Sequence, residues 1–323
     1  MVFDDFLFTD SLLNLETGGD GRFKVGRNGV SKILAPFDRK VEFICSDDGQ
    51  VMAFVQSSMG YPALYPFLPA RIDRPVQAVL MDLDGTSIQS EDFWIWIIEL
   101  TTAKLLDDPK FSFAEEDLPH VSGHVFSEHL QYCIQKYCPD RSIHQAREYY
   151  FEIAHYQMQE IMQGRGRVGA FNPMPGLKDF LLTLKDKGIK IGLVTSGLYE
   201  KAWPEILSAF RQLDMGDPHD FYDAIITAGY AIRKDQAGTL GQLESKPHPW
   251  LYAEAASVGL GIEFDQRSTV IGIEDSGAGV IASRLAGFAT IGMAGGNIEE
   301  SGTLPLCSAY CRSFEQILQD IVE

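Results

Sequence analysis

Two carboxylates, Asp82 and Asp84, stand two residues apart at the end of the apolar run Ala78–Met81, followed by the flexible Gly85 and the hydroxyl of Thr86. An apolar run of that length reads as a short buried strand. A strand ending this way puts both acids at its C-terminal edge, where open α/β sheets bind ligands. One carboxylate can attack an electrophile while the other moves a proton. Burying both is costly unless a cation sits between them. Asp-Gly is also a common turn dipeptide, so the pair needs company. Three further segments supply it. LVTSG brings Thr195, Ser196 and the Gly197 amide, groups that suit a phosphate oxygen or a helix N-cap. ESKPHPW brings Lys246, which can neutralise a phosphoryl group and a nucleophilic carboxylate or simply be solvated. GIEDSGAG brings the adjacent acids Glu274 and Asp275 after a wholly apolar strand. Such a pair calls for a cation, and Mg²⁺ fits an all-oxygen site with few carboxylates.

The elements around these residues set where they meet. From Pro175 onward the pattern alternates strictly. LKDFLLTLKDKG, EKAWPEILSAF, PHPWLYAEAASVGL, AGVIASRLAG and FEQILQDIV read as helices. IKIGLVTSG, YDAIITAG, STVIGIEDS, FATIGMAG and a short run at Ala309–Cys311 read as strands. Alternation of this kind means a parallel, doubly wound α/β sheet. Pro204 is expected in the first turn of its helix. Between the first strand and Pro175 lie three helical stretches, SEDFWIWIIELTTAKLL with Ser90 as N-cap and two more near 122–138 and 141–163. Three helices with no strand between them predict an inserted α-helical lobe, with residues 164–176 as a flexible return hinge. Ahead of the core, residues 1–75 form a small β-containing appendage. KVEFICSDDGQVMAFVQ reads as a hairpin, and the proline-rich stretch from Tyr61 to Pro75 as an extended linker. The expected domains are 1–75, a core of 76–88 with 172–323, and a helical lobe of 89–171.

In this order and on these elements, DxDGT, a strand-end Thr/Ser, a lysine before a helix and a paired acid resemble the haloacid-dehalogenase-like (HAD) phosphatases. KPHPWLY together with GIEDSGAGVIASRLAG is similar to their phosphoglycolate phosphatase and β-phosphoglucomutase branch, and the helical insert resembles that branch's C1 cap. The resemblance covers residues 76–323. It implies Asp82 as the nucleophile that takes up the phosphoryl group, forming an aspartyl phosphate. Asp84 would protonate the leaving alcohol and then activate water. Thr195, Ser196 and Gly197 would hold phosphate oxygens, and Lys246 would balance charge. Mg²⁺ would sit on the Asp82 side chain, the Asp84 carbonyl and Asp275, with Glu274 direct or through water. An acid at position 84 favours phosphate esters, because dehalogenases lack one there. Two features depart from the family pattern. A long polar stretch, YAIRKDQAGTLGQLES, precedes Lys246, and the appendage has no counterpart in the minimal fold.

In the lobe, PHVSGHVFSEHL resembles the cap's glycine-containing helix start. Mutases of the branch present an arginine shortly after that glycine. Here His124, Val125 and Phe126 follow Gly123, which favours a phosphatase and makes His124 a candidate substrate contact. Arg165 and Arg167 keep a β-phosphoglucomutase-like activity open. His120, His124 and His129 could be polar residues at a helix start or a second metal site. Phe93, Trp94 and Trp96 are expected in the lobe's own core. A non-catalytic phosphometabolite-binding protein is the third reading, opposed by the intact acids and lysine.

Composition sets outer bounds. Apolar residues make up 45% and charged residues 22%, as in ordinary globular proteins. A net charge of −18 opposes nucleic acid and anionic membranes as partners. It also means that an anionic metabolite must be met by local positive charge. Five scattered cysteines without CxxC suggest reduced thiols in a cytoplasmic protein. MVFDDFLFTD lacks the basic start of a signal peptide.

Overall fold

The computed structural model describes residues 11–56, 62–121, 126–228 and 244–322. The chain divides into two compact units. One comprises Met1–Ser87, Met174–Ala202 and Gly216–Glu323; the other comprises Ile88–Pro173 and Trp203–Met215.

Two sheets build the first unit. The N-terminal sheet is antiparallel, ordered β1-β2-β3-β4-β5, from β1 (Leu13–Leu15), β2 (Val30–Ala35), β3 (Val41–Ser46), β4 (Val51–Val55) and β5 (Ala63–Pro66). The expected hairpin is β3 and β4, which pair from Val41↔Val55 to Cys45↔Val51 across the Asp47-Asp48-Gly49 turn. The Tyr61–Pro75 linker is in part a strand. Ala63–Pro66 adds to β4 as the edge of the sheet, a place where Pro66 costs no ladder hydrogen bond.

The second sheet is the parallel one. It uses β6 (Ala78–Asp82), β9 (Lys190–Thr195), β10 (Ala224–Thr227), β11 (Val270–Glu274), β12 (Ala289–Met293) and β13 (Ala309–Cys311), in the order β10-β9-β6-β11-β12-β13. Every pairing is parallel, and β6 lies centrally between β9 and β11. The registers Asp82↔Val194 and Ile273↔Met81 bring the C-terminal ends of these three strands level. The wholly buried β6, β11 and β12 explain their near-continuous apolar sequences. On one face Leu80, Val194, Leu251, Tyr252, Ala255 and Phe288 share a core. A second core joins Phe43, Val51, Ala53 and Phe67 of the N-terminal segment to Val280, Ile281 and Leu285 of the helix Gly277–Leu285.

In the second unit, the helices Glu91–Leu106, Leu118–Val121, Phe126–Tyr137 and Ile143–Met162 carry the expected lobe. Ser90 precedes the first, but its side chain makes no capping hydrogen bond there. Ser142 does cap, accepting from Gln145 N at 3.1 Å. The return stretch holds the two-residue strand β8 (Asn172–Pro173), antiparallel to β7 (Ile88–Gln89), so a short ribbon stitches the lobe's exit to its return. Phe93 is fully buried against Phe171, with ring centroids 4.5 Å apart, as expected of lobe core. The Trp94 indole donates to Glu205 Oε1 at 3.0 Å. The helix Tyr199–Leu213 starts early, its first turn closed by Leu198 O, which places Pro204 in the second turn and not the first.

Candidate active site at the C-terminal edge of the parallel sheet

Each expected acid sits where a strand stops. Asp82 is the last residue of β6, and Glu274 the last of β11 with Asp275 beside it. All three are buried. Their carboxylates offer oxygens within 4.8 Å of one another, the one such group of His, Cys, Asp or Glu side chains found among the described residues. Gly85 permits this closeness. Its φ is +82°, a left-handed backbone that glycine adopts freely, and a Cβ there would collide with the Asp275 carboxylate. At Gly279 a Cβ would strike the Glu274 carboxylate.

Lys246 enters from the loop after β10. Its ammonium contacts Asp82 Oδ1, donates to Glu274 Oε1 at 2.7 Å and reaches the Val194 carbonyl at 3.1 Å. Burial would lower this amine, but Asp82 and Glu274 outweigh it and hold Lys246 above the ordinary lysine value. One lysine does not offset three acids. Burial pushes Asp82 well above the usual carboxylate range; Lys246 opposes this, and Glu274 and Asp275 add to it. Asp275 is pushed up to about 7, by burial and then by Glu274. Three buried carboxylates that share one lysine suit a hard cation, so this donor set fits a bound divalent ion.

The remaining expected residues gather at the same edge. Thr195 ends β9, and its Oγ1 accepts from Gly197 N at 2.9 Å. Ser196 Oγ accepts from Lys246 N at 3.2 Å, tying the Thr195–Gly197 turn to the lysine loop. Asp84 lies half-exposed. His124, and the stretch 229–243 within the long connection before Lys246, lie outside the described residues. His120 stacks on Tyr132, Arg165 pairs with Glu160 at 2.8 Å, and the Arg167 guanidinium lies over Trp96.

Sequence reasoning missed two participants, Lys201 and Tyr252, and named a third, Thr86, without a partner. Lys201 donates to both Asp84 oxygens at 3.0 Å. Its signal was a lysine in the helix that follows LVTSG. Tyr252 is fully buried and donates to Glu274 Oε1 at 2.5 Å. Burial first, then Glu274 and Asp82, raise its phenol well above the ordinary value, so it stays a donor. Thr86 donates to Asp275 Oδ1 at 3.2 Å. Position six after Lys246 and position four after Asp82 were the available cues.

Comparison with known proteins gives the family and the fold. A family model described as haloacid dehalogenase-like hydrolase matches residues 79–293, and the chain belongs to that family. No curated protein matches in sequence. Among solved structures, a protein described as a predicted phosphoglycolate phosphatase from Haemophilus somnus is 17% identical, with a TM-score of 0.56 over 76% of this chain and 98% of its own. A HAD hydrolase of family IA, variant 3, from Entamoeba histolytica is 19% identical, with a TM-score of 0.52 over 76% and 96%. CbbY from Rhodobacter sphaeroides, solved with phosphate, is 19% identical, with a TM-score of 0.50 over 75% and 96%. At these identities the likeness is one of fold.

Proposed function

From membership in the haloacid dehalogenase-like hydrolases, we propose that this chain is a Mg²⁺-dependent phosphatase of a small phosphorylated metabolite, of the sugar phosphate or phosphoglycolate type. The observation that carries this reading is the buried Lys246 ammonium shared by Asp82 and Glu274, with the second acid, Asp84, two residues beyond the first. Asp82 attacks phosphorus and forms an aspartyl phosphate while the ester oxygen departs. Asp84 gives that oxygen a proton, then takes one from the water that cleaves the acyl phosphate. Splitting the reaction this way replaces one difficult displacement with two easier ones. Thr195, Ser196 and the Gly197 amide hold phosphoryl oxygens. Lys246 neutralises charge on Asp82 and the transferring group, which is most of what phosphoryl transfer asks of a protein. Lys201 holds the Asp84 carboxylate in place. Mg²⁺, held by Asp82, Asp275 and the Asp84 carbonyl with Glu274 direct or through water, would supply further charge neutralisation when bound.

We take residues 89–171 as the cap that sets substrate choice, with His124 a candidate contact, and residues 76–88 and 172–323 as the catalytic core. Among the described residues no helix is long and apolar enough to cross a membrane, and all five cysteines are free thiols. These features support a cytoplasmic enzyme. The test is phosphate release from a panel of phosphorylated metabolites, with Mg²⁺ and with EDTA. Release from one substrate class, abolished by EDTA, is the expected result. Turnover that needs a bisphosphate primer and yields little free phosphate would replace the phosphatase with a mutase. Binding of phosphate analogues without any turnover would leave only a binding protein.

A further inference from the structure

The N-terminal sheet lies outside the family match, which begins at residue 79, yet it reaches the loop that carries Lys246. Tyr65 of β5 is one point of contact, and the Gln56 backbone, which hydrogen-bonds His248, is another. The Tyr65 hydroxyl oxygen lies 2.8 Å from His248 Nδ1 and 3.1 Å from Trp250 Nε1. Its ring meets both partners edge-on, with centroids 5.8 Å and 6.5 Å apart. An indole N–H can only donate, so the Tyr65 oxygen accepts from Trp250 and its own proton is free for His248 Nδ1. His248 is 3% exposed, and burial holds it below the ordinary imidazole value, so the ring is neutral and can accept.

The same loop is tied on its other side to the site. Between Lys246 and Trp250 there are only three residues, and His248 N closes a turn onto Ser245 O. Lys246 is held by Ser196 and Val194 through hydrogen bonds and by Asp82 and Glu274 through charge. The sheet behind Tyr65 is itself anchored. It shares a core with the helix Gly277–Leu285, which directly follows Asp275, and the buried Arg284 donates to Leu68 O at 3.3 Å. Two of the segments bearing the site's charges therefore lean on the appendage.

We propose that the N-terminal sheet is a positioning element of the active site, and that the Tyr65 hydroxyl, through His248 and Trp250, fixes the loop that places the Lys246 ammonium. The inference deepens the phosphatase reading and rests on it for the catalytic consequence. The loop Ser245–Trp250 carries the Lys246 ammonium, and a small displacement of a charge-balancing group is costly in rate.

The experiment uses the full chain with Tyr65→Phe, which keeps the ring and removes the hydroxyl. Tyr310→Phe is the control, because Tyr310 packs against the same core from β13. Hydrogen exchange and steady-state turnover of p-nitrophenyl phosphate with Mg²⁺ are read on each variant, with thermal midpoints alongside. Tyr65→Phe is expected to speed amide exchange in the peptide over 245–252 while 277–285 stays protected. It should lower kcat about tenfold with KM within about twofold, a split that general destabilisation would not produce. Tyr310→Phe should change neither. Unchanged exchange at 245–252, or faster exchange with unchanged kcat, overturns the proposal. If the wild type turns over neither p-nitrophenyl phosphate nor the metabolite panel, the phosphatase reading fails separately. Exchange and inorganic phosphate affinity, expected to weaken in Tyr65→Phe and unaltered if the proposal is wrong, then decide the positioning role.

Discussion

Two buried acid–lysine clusters, one in each unit, have opposite electrostatics. In the helical unit, Asp117 is fully buried beside Lys136. It accepts from the Tyr132 and Tyr137 hydroxyls at 2.6 Å, from Lys136 at 2.7 Å and from Ala114 N at 2.8 Å. Burial would raise its carboxyl, but these hydrogen bonds outweigh burial and hold it well below the usual range. At the sheet edge, Asp82, Glu274 and Asp275 share one lysine, and Asp82 and Asp275 are pushed up. A satisfied buried acid stabilises structure. An under-compensated group of acids stores a demand for positive charge that a cation and a phosphoryl transition state can meet.

The sharpest way to break that contrast is to exchange the roles. Asp82→Asn should lower phosphate release at least about a thousandfold, because the proposed nucleophile is gone. Asp117→Asn should leave kcat within about twofold. Comparable losses in the two variants, measured on folded protein, would erase the distinction. Lys246→Met should cost on the order of a hundredfold in kcat, as loss of a preorganised charge donor does. Lys246→Arg should not restore it, since a planar guanidinium does not replace a compact ammonium.

A cation should stabilise one cluster and leave the other alone. Mg²⁺ at about a hundred times its dissociation constant should add about 2.7 kcal/mol to wild-type unfolding. Asp275→Asn should lose most of that gain, whereas Asp117→Asn should keep it; calorimetry with and without Mg²⁺ reads both. For stability without metal the order reverses. Asp117→Asn should cost about 2 kcal/mol, because two tyrosine hydroxyls and a lysine lose a charged acceptor.

The smallest effect concerns acid. Asp117 has a folded value below its unfolded 3.8, so its contribution is fully present above 3.8 and is lost as the pH falls below it. Urea midpoints followed from pH 6 to pH 2.5 should therefore fall more steeply for the wild type than for Asp117→Asn. Parallel slopes would show that Asp117 binds its proton equally in both states.

Most of the site was readable because its residues mark strand ends. An apolar run followed by a polar side chain is a one-dimensional pattern, carried by the acids Asp82, Glu274 and Asp275 and by the hydroxyl of Thr195. Lys246 was readable from the proline that follows it and the helix beyond. Lys201 and Tyr252 were not, because a lysine and a tyrosine within helices look like a solvated charge and a core aromatic until the opposite face is known. Ser90 shows the converse, a residue of the right type at the right place whose side chain makes no cap. In the appendage, the Asp-Asp-Gly turn made β3 and β4 legible, while Ala63–Pro66 read as a linker because its strand character comes from β4 and not from its own composition.

By itself, the sequence determined the alternation of strands and helices, the inserted helical lobe, and which acids and which lysine would share one sheet edge. Period, turn residues and apolar runs are local, and they suffice for that. The tertiary structure alone decided that β6 lies between β9 and β11, that Lys201 reaches Asp84, and that Tyr65, 181 residues before Lys246 in the numbering, touches that lysine's loop. Those are pairings between distant segments, set by how buried surfaces fit, and no local pattern encodes them.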